Sequence, residues 1–182
     1  MNVIASRGQL RASFIRWALF TVPLIVLLGF LAGQLGSPNT AWFQGLVKPD
    51  IFPEPKWFGI VWTILYIMIG LALALVCSSW GARGRGLAIG VFAAHFVLNL
   101  AWSPLFFGAQ NILGALYLLI AIVLSLLVVI WLFWRVRRAA GLLLLPYLAW
   151  VCFATLLNYE FLQANPDGGK GGANSAEQRF EI

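Results

Sequence analysis

Five long apolar runs dominate the chain, at about residues 17–35, 57–80, 87–107, 112–134 and 139–162. None contains lysine, arginine or aspartate, and the single glutamate among them, Glu160, stands near the end of the fifth. An α-helix rises about 1.5 Å per residue, so about 20 apolar residues cross the ~30 Å hydrocarbon core of a bilayer. Membrane β-barrels would instead show segments of about ten residues with alternating polarity. The pattern therefore predicts an all-α membrane protein, a bundle of five transmembrane helices spanning residues 17–162. Flanking it are a basic N-terminal extension, 1–16, and a polar tail, 163–182, whose glycine-rich sequence reads as disordered.

Composition agrees with lipid as the solvent. Hydrophobic residues make up 62% and charged residues 10% of the chain, against about 45–50% and about 25% in soluble domains. The first run follows Arg7, Arg11 and Arg16, as a signal peptide would. It is longer than the usual ~7–15-residue signal core and lacks a small-x-small cleavage site, so a retained helix is expected. Cys77 and Cys152 both fall inside apolar runs and read as small hydrophobic residues, and no metal site is expected.

The net charge of +6 is gathered in short clusters rather than along one stripe, which argues against nucleic acid as a partner. Arg7, Arg11, Arg16, Arg83, Arg85, Arg135, Arg137 and Arg138 occupy alternate polar segments that hold no acidic residue. The opposite segments mix Lys48, Lys56, Lys170 and Arg179 with Asp50, Glu54, Glu160, Asp167, Glu177 and Glu181. Positive charge stays inside, so the N-terminus is expected in the cytoplasm and the C-terminus outside.

Polar and aromatic residues recur at helical spacing within the runs. Gly29 and Gly33 put small residues four apart, suited either to a dimer seam or to close packing within the bundle. Trp62 and Tyr66 share a face of the second run; His95, Asn99, Trp102, Ser103 and Phe106 share one in the third; Tyr147, Trp150, Ala154 and Asn158 follow Pro146 in the fifth. Pro104 is expected to kink the third helix. Under the expected topology Tyr66, Asn99 and Ala154 lie about 12–14 Å from the outer ends of their helices, so these groups converge at one level. They could line an apolar pocket for a flat ligand, or the two asparagines could simply link helices. His95, the only histidine, reads as an interhelical hydrogen-bonding group, with a haem ligand as the alternative. Trp42, Trp57 and Trp80 suit interfacial anchors. The loop 36–56, rich in aromatics and prolines, is expected to fold back as a stiff lid. No Walker, GxSxG or HExxH motif and no paired carboxylates occur within the spans, so no catalytic residue is assigned.

Three strings together resemble one family. Trp42-Phe43-x-x-Leu46-x-Lys48-Pro49 leads into Pro53-x-Pro55-x-Trp57-Phe58-Gly59 and Trp62-x-x-Leu65-Tyr66. Asn99-x-x-Trp102-Ser103-Pro104-x-Phe106-Phe107-Gly108 forms the second, and Leu145-Pro146-Tyr147-Leu148-Ala149-Trp150 with Ala154, Leu157 and Asn158 the third. In this order they resemble the TspO/MBR family, the tryptophan-rich sensory proteins related to the mitochondrial translocator protein or peripheral benzodiazepine receptor. The resemblance implies a five-helix homodimer in a bacterial inner (cytoplasmic) membrane. It also implies a cavity that binds porphyrins, other tetrapyrroles or flat apolar ligands. Carried over, the ligand-binding residues are Trp62, Tyr66, Asn99, Trp102, Trp150, Ala154 and Asn158, under a lid of Trp42, Phe43 and Pro49.

The departures are Asp50, where relatives often have an aromatic, and His95, where another residue is common. No Lys or Arg follows Tyr159 within five residues, so the animal sterol motif is incomplete. The implied function is tetrapyrrole binding for transport, buffering or stress sensing, with no required cofactor beyond a possible bound porphyrin or haem. The alternatives are light- and oxygen-dependent porphyrin breakdown, and a structural or partner role without ligand.

Overall fold

The computed structural model describes residues 7–168. Its helices are α1 (Arg7–Leu35), α2 (Ala41–Gly45), α3 (Pro55–Cys77), α4 (Arg85–Ser103), α5 (Ile112–Val136), α6 (Arg138–Leu143) and α7 (Leu145–Ala164). A π-helical turn, Pro104–Gly108, extends α4, and α6 with α7 makes up one span, so five candidate membrane-crossing segments result. Their outward faces carry large apolar side chains in the open, among them Leu19, Phe30, Val97 and Leu124. Such surfaces suit hydrocarbon, where helices satisfy their backbone internally.

Helix ends depart from the apolar runs for local reasons. α1 starts in the basic extension, because Gln9, Leu10, Arg11 and Ala12 are good helix formers and hydrogen bonding propagates beyond the apolar stretch. α3 starts on Pro55, whose missing N–H costs nothing in a first turn. It stops at Cys77, and Gly81 and Gly84 then adopt left-handed φ of 77° and 79° in the turn to α4. The fifth span breaks at Leu144, since Pro146 cannot donate to the preceding turn and disfavours helix at its neighbour. α7 runs two residues past the expected 162, to Ala164.

Pro104 does more than kink its helix. Its missing N–H leaves the carbonyl of Leu100 without the usual partner, and the chain widens: the Ala109 N–H donates to the Pro104 carbonyl at 2.9 Å. Asn111 then opens α5, its side chain accepting from the Gly114 N–H at 2.8 Å.

α1 packs along α3, α3 against α4 and α6, α4 against α5, and α5 against α7. Thr21 Oγ1 donates to the Gly70 carbonyl at 2.8 Å, and a Cβ at Gly70 would lie 2.7 Å from Val22 Cα, so backbones meet here. The main core runs through Leu65, Ile69, Phe92, Phe96, Ile122 and Tyr147. A second cluster, of Phe43, Leu46, Phe106, Ile112, Leu157 and Phe161, seals the end of the bundle beneath the lid.

Candidate functional site

The lid is built around α2. Thr40 caps it by accepting from the Phe43 N–H, and Lys48 closes its other end. The Lys48 ammonium donates to the carbonyls of Phe43, Gln44 and Leu46 at 2.6, 3.0 and 3.1 Å, where the helix dipole is negative. Partial burial pulls this ammonium below its usual pKa. Phe43 is driven inward among Phe52, Phe106, Phe107 and Phe161, with ring centroids 5.1–6.3 Å apart. Trp42 packs edge-on against Phe106 at 5.7 Å, and its indole N–H donates to the Gly168 carbonyl at 3.0 Å. Pro49 accepts from the Phe52 N–H at 2.9 Å in the turn after α2 and takes no part in lining the cavity.

Asn165 fastens the lid to α7. Its Oδ1 accepts from the Val47 N–H at 2.9 Å, and its Nδ2 donates to the Val47 carbonyl at 3.0 Å and to that of Phe161 at 2.9 Å. The polar tail thus begins with a buried, hydrogen-bonded residue rather than with free chain; the expectation of disorder from 169 onward lies outside the described residues. Composition hid this, because Asn165 stands in a glycine-rich polar run. Its position just past the last apolar turn of α7 was the available signal.

Beneath the lid lies a cavity of about 530 Å3, within the ~300–1,000 Å3 usual for small-molecule sites. All seven residues expected to bind ligand line it: Trp62, Tyr66, Asn99, Trp102, Trp150, Ala154 and Asn158. Trp62 and Tyr66 stack at 5.1 Å, and Trp102 stacks on Phe106 at 5.2 Å. Four buried polar atoms of these lining residues have no hydrogen-bond partner among the described residues: Asn99 Oδ1, Asn158 Oδ1, Trp102 Nε1 and Trp150 Nε1. Buried polar groups are almost always paired, and leaving one unpaired costs about 1–3 kcal/mol. Two indole donors and two amide oxygens are thus held beside the cavity without a protein partner. Asn158 also has the linking role considered for it, since its Nδ2 donates to the Ile112 carbonyl at 2.9 Å.

The small residues of α1 divide between two tasks. A Cβ on Gly29 would lie 2.2 Å from Tyr66 Cε2, so this glycine lets Tyr66 fit against α1 and packs within the bundle. Gly33, whose Cβ would meet nothing within 4 Å, faces open space, and both glycines line the cavity. The lining residues that are exposed, such as Phe30, Gly33 and Gln34 on α1 and Gly59 and Thr63 on α3, place the opening between these helices, beside the lid. The two helices touch at Gly70 and Gly29 and diverge beyond.

His95 stays out of the cavity. Its Nδ1 pairs with Ser125 Oγ at 2.8 Å and its Nε2 with Tyr147 OH at 3.1 Å. Ser125 Oγ donates to the Ile122 carbonyl, so it accepts from an Nδ1–H, and Nε2 accepts from the tyrosine. With both nitrogens engaged, His95 is an interhelical link joining α4, α5 and α7, not a group offered to a haem iron. Tyr147 is likewise core, packed edge-on against Trp62 at 6.2 Å.

Fold and site together define a polytopic helical membrane protein with an aromatic-lined cavity under a folded lid. The TspO/MBR family profile matches residues 21–163. The chain is 41% identical over 148 residues to the "Tryptophan-rich protein TspO" of Chlorobaculum tepidum, covering 80% of this chain and 93% of that one. It is 35% identical over 158 residues to the "Tryptophan-rich sensory protein" of Cereibacter sphaeroides, with 82% and 92% covered. Against the human "Translocator protein" it is 37% identical over 170 residues, with 85% and 98% covered. The protein belongs to the TspO/MBR family.

Proposed function

We propose that this protein binds tetrapyrroles within the membrane and serves in their transport, buffering or sensing. The observation that supports this reading is the cavity wall, where stacked aromatic rings surround four buried polar atoms without protein partners. Stacking and apolar contact would supply affinity for a flat macrocycle, and the indole N–H groups and amide oxygens its orientation. Family membership and the sensory and translocator names of its relatives favour the same reading. Titrating the purified protein with protoporphyrin IX while following tryptophan fluorescence tests it. Saturable quenching that weakens in Trp150→Phe and Asn99→Ala is expected; its absence, or quenching unchanged in both variants, refutes it.

We further propose a bacterial inner membrane as its location, and the arginine clusters at the opposite end favour the lid on the outer face. Reporter fusions at the two termini should give opposite signals. It is also assigned a homodimer. Tyr66 occupies the Gly29 side of α1, so two copies would pair through another apolar face; cross-linking in native membranes decides this. A second reading, light-driven porphyrin breakdown, draws on Trp62, Trp102 and Trp150 lining the cavity. Illuminating the complex should then consume porphyrin faster than free tryptophan does.

A further inference from the structure

Among the described residues, the cavity wall contains no charged side chain. Its polar members are amides, hydroxyls and indoles, and no Lys, Arg, His, Asp or Glu is among the residues that line it. Lys48, a cation of the lid, is turned onto three backbone carbonyls at the end of α2, those of Phe43, Gln44 and Leu46. Lys56 pairs with Glu54. Among the described residues the lid end carries these two lysines against Asp50, Glu54, Glu160 and Asp167, a net negative surround. An ionised carboxylate taken into such a site would lose its water without gaining a counter-charge, which is strongly unfavourable. The two buried amide oxygens, Asn99 Oδ1 and Asn158 Oδ1, would add repulsion toward an anion. At the opening the exposed polar side chains Gln34, Asn39, Gln44 and Thr63 are all uncharged.

We propose that this cavity selects uncharged flat ligands, and that it takes a tetrapyrrole in carboxyl-neutral form, esterified or protonated, in preference to the dianion. The opening between α1 and α3, edged by Phe30 and Thr63, suits a ligand arriving from the bilayer, where neutral forms concentrate. This inference rests on the tetrapyrrole-binding reading above.

The test compares protoporphyrin IX with its dimethyl ester on the full chain in uncharged micelles, by quenching of tryptophan fluorescence. Affinities are referred to the ligand concentration in protein-free micelles measured in parallel. At pH 7.5 the ester should bind at least about tenfold more tightly than the diacid, given the cost of an unpaired buried carboxylate. Between pH 7.5 and 5.5 the diacid should gain at least about fivefold as its carboxyls take up protons, while the ester stays constant. Gln34→Lys, which puts a cation at the opening, should tighten the diacid relative to the ester. A diacid that binds as tightly as the ester at pH 7.5, or gains nothing from acid or from Gln34→Lys, overturns the inference but leaves tetrapyrrole binding standing. No saturable quenching with either ligand overturns both.

Discussion

Removing the Asn165 side chain should unfasten the lid while leaving the bundle folded. Asn165→Ala deletes the paired bonds to Val47, at 2.9 and 3.0 Å, and the bond to the Phe161 carbonyl. Val47 is exposed, so its freed N–H and C=O reach solvent, and each lost bond costs about its net value of 0.5–1.5 kcal/mol rather than a full desolvation penalty. The two lid bonds together come to about 2 kcal/mol, or roughly thirtyfold in the population of undocked lid. The Phe43 cluster and the Trp42–Gly168 bond should hold the remaining docking energy. Hydrogen exchange at the Val47 amide reads this directly, because local opening governs its rate. Exchange there should accelerate by about the same factor, with amides in α3 and α5 unaffected. Asn165→Asp keeps the acceptor for the Val47 N–H and loses the donor, so it should fall between. Unchanged exchange at Val47 would refute the latch, and so would a uniform acceleration through the helices, which would make Asn165 part of the global core.

Five further substitutions separate cavity, packing and lid. Trp150→Phe removes an unpaired buried donor, so thermal stability should hold or rise slightly while porphyrin affinity falls. Gly33→Leu projects into open space and should block the cavity, abolishing quenching by ligand with little change in melting temperature. Gly29→Leu collides with Tyr66 and should cost about 1–3 kcal/mol of stability, seen as a lower melting temperature. His95→Phe strands Ser125 and the Tyr147 hydroxyl; at about 0.6–2 kcal/mol per interhelical bond, it should lower the melting temperature more than Lys48→Met, whose effect should appear only in lid exchange.

The helices themselves were legible in the chain because lipid imposes one rule: a continuous apolar run must satisfy its own backbone. The seven residues expected around a ligand do meet at one cavity, since helical spacing and comparable depth leave them few other places. What spacing alone could not divide was role among neighbours on one face. His95 and Asn99 lie four apart, yet His95 is held by Ser125 and Tyr147 outside the cavity, while Asn99 lines it and its Oδ1 has no partner among the described residues. Gly29 and Gly33 show the same split, one pressed on Tyr66 and the other facing open space.

Partners distant in sequence decided those outcomes, and tertiary packing alone brings them together. The π turn after Pro104 depends on how the chain re-satisfies a missing donor, and the Asn165–Val47 pair bridges 118 residues. A polar side chain reads as surface until the structure shows the backbone it must match. The sequence by itself thus determined the spans, because hydrocarbon tests each helix locally. The tertiary structure determined which polar groups are paired and which are left without a protein partner, because pairing is a property of neighbours rather than of pattern.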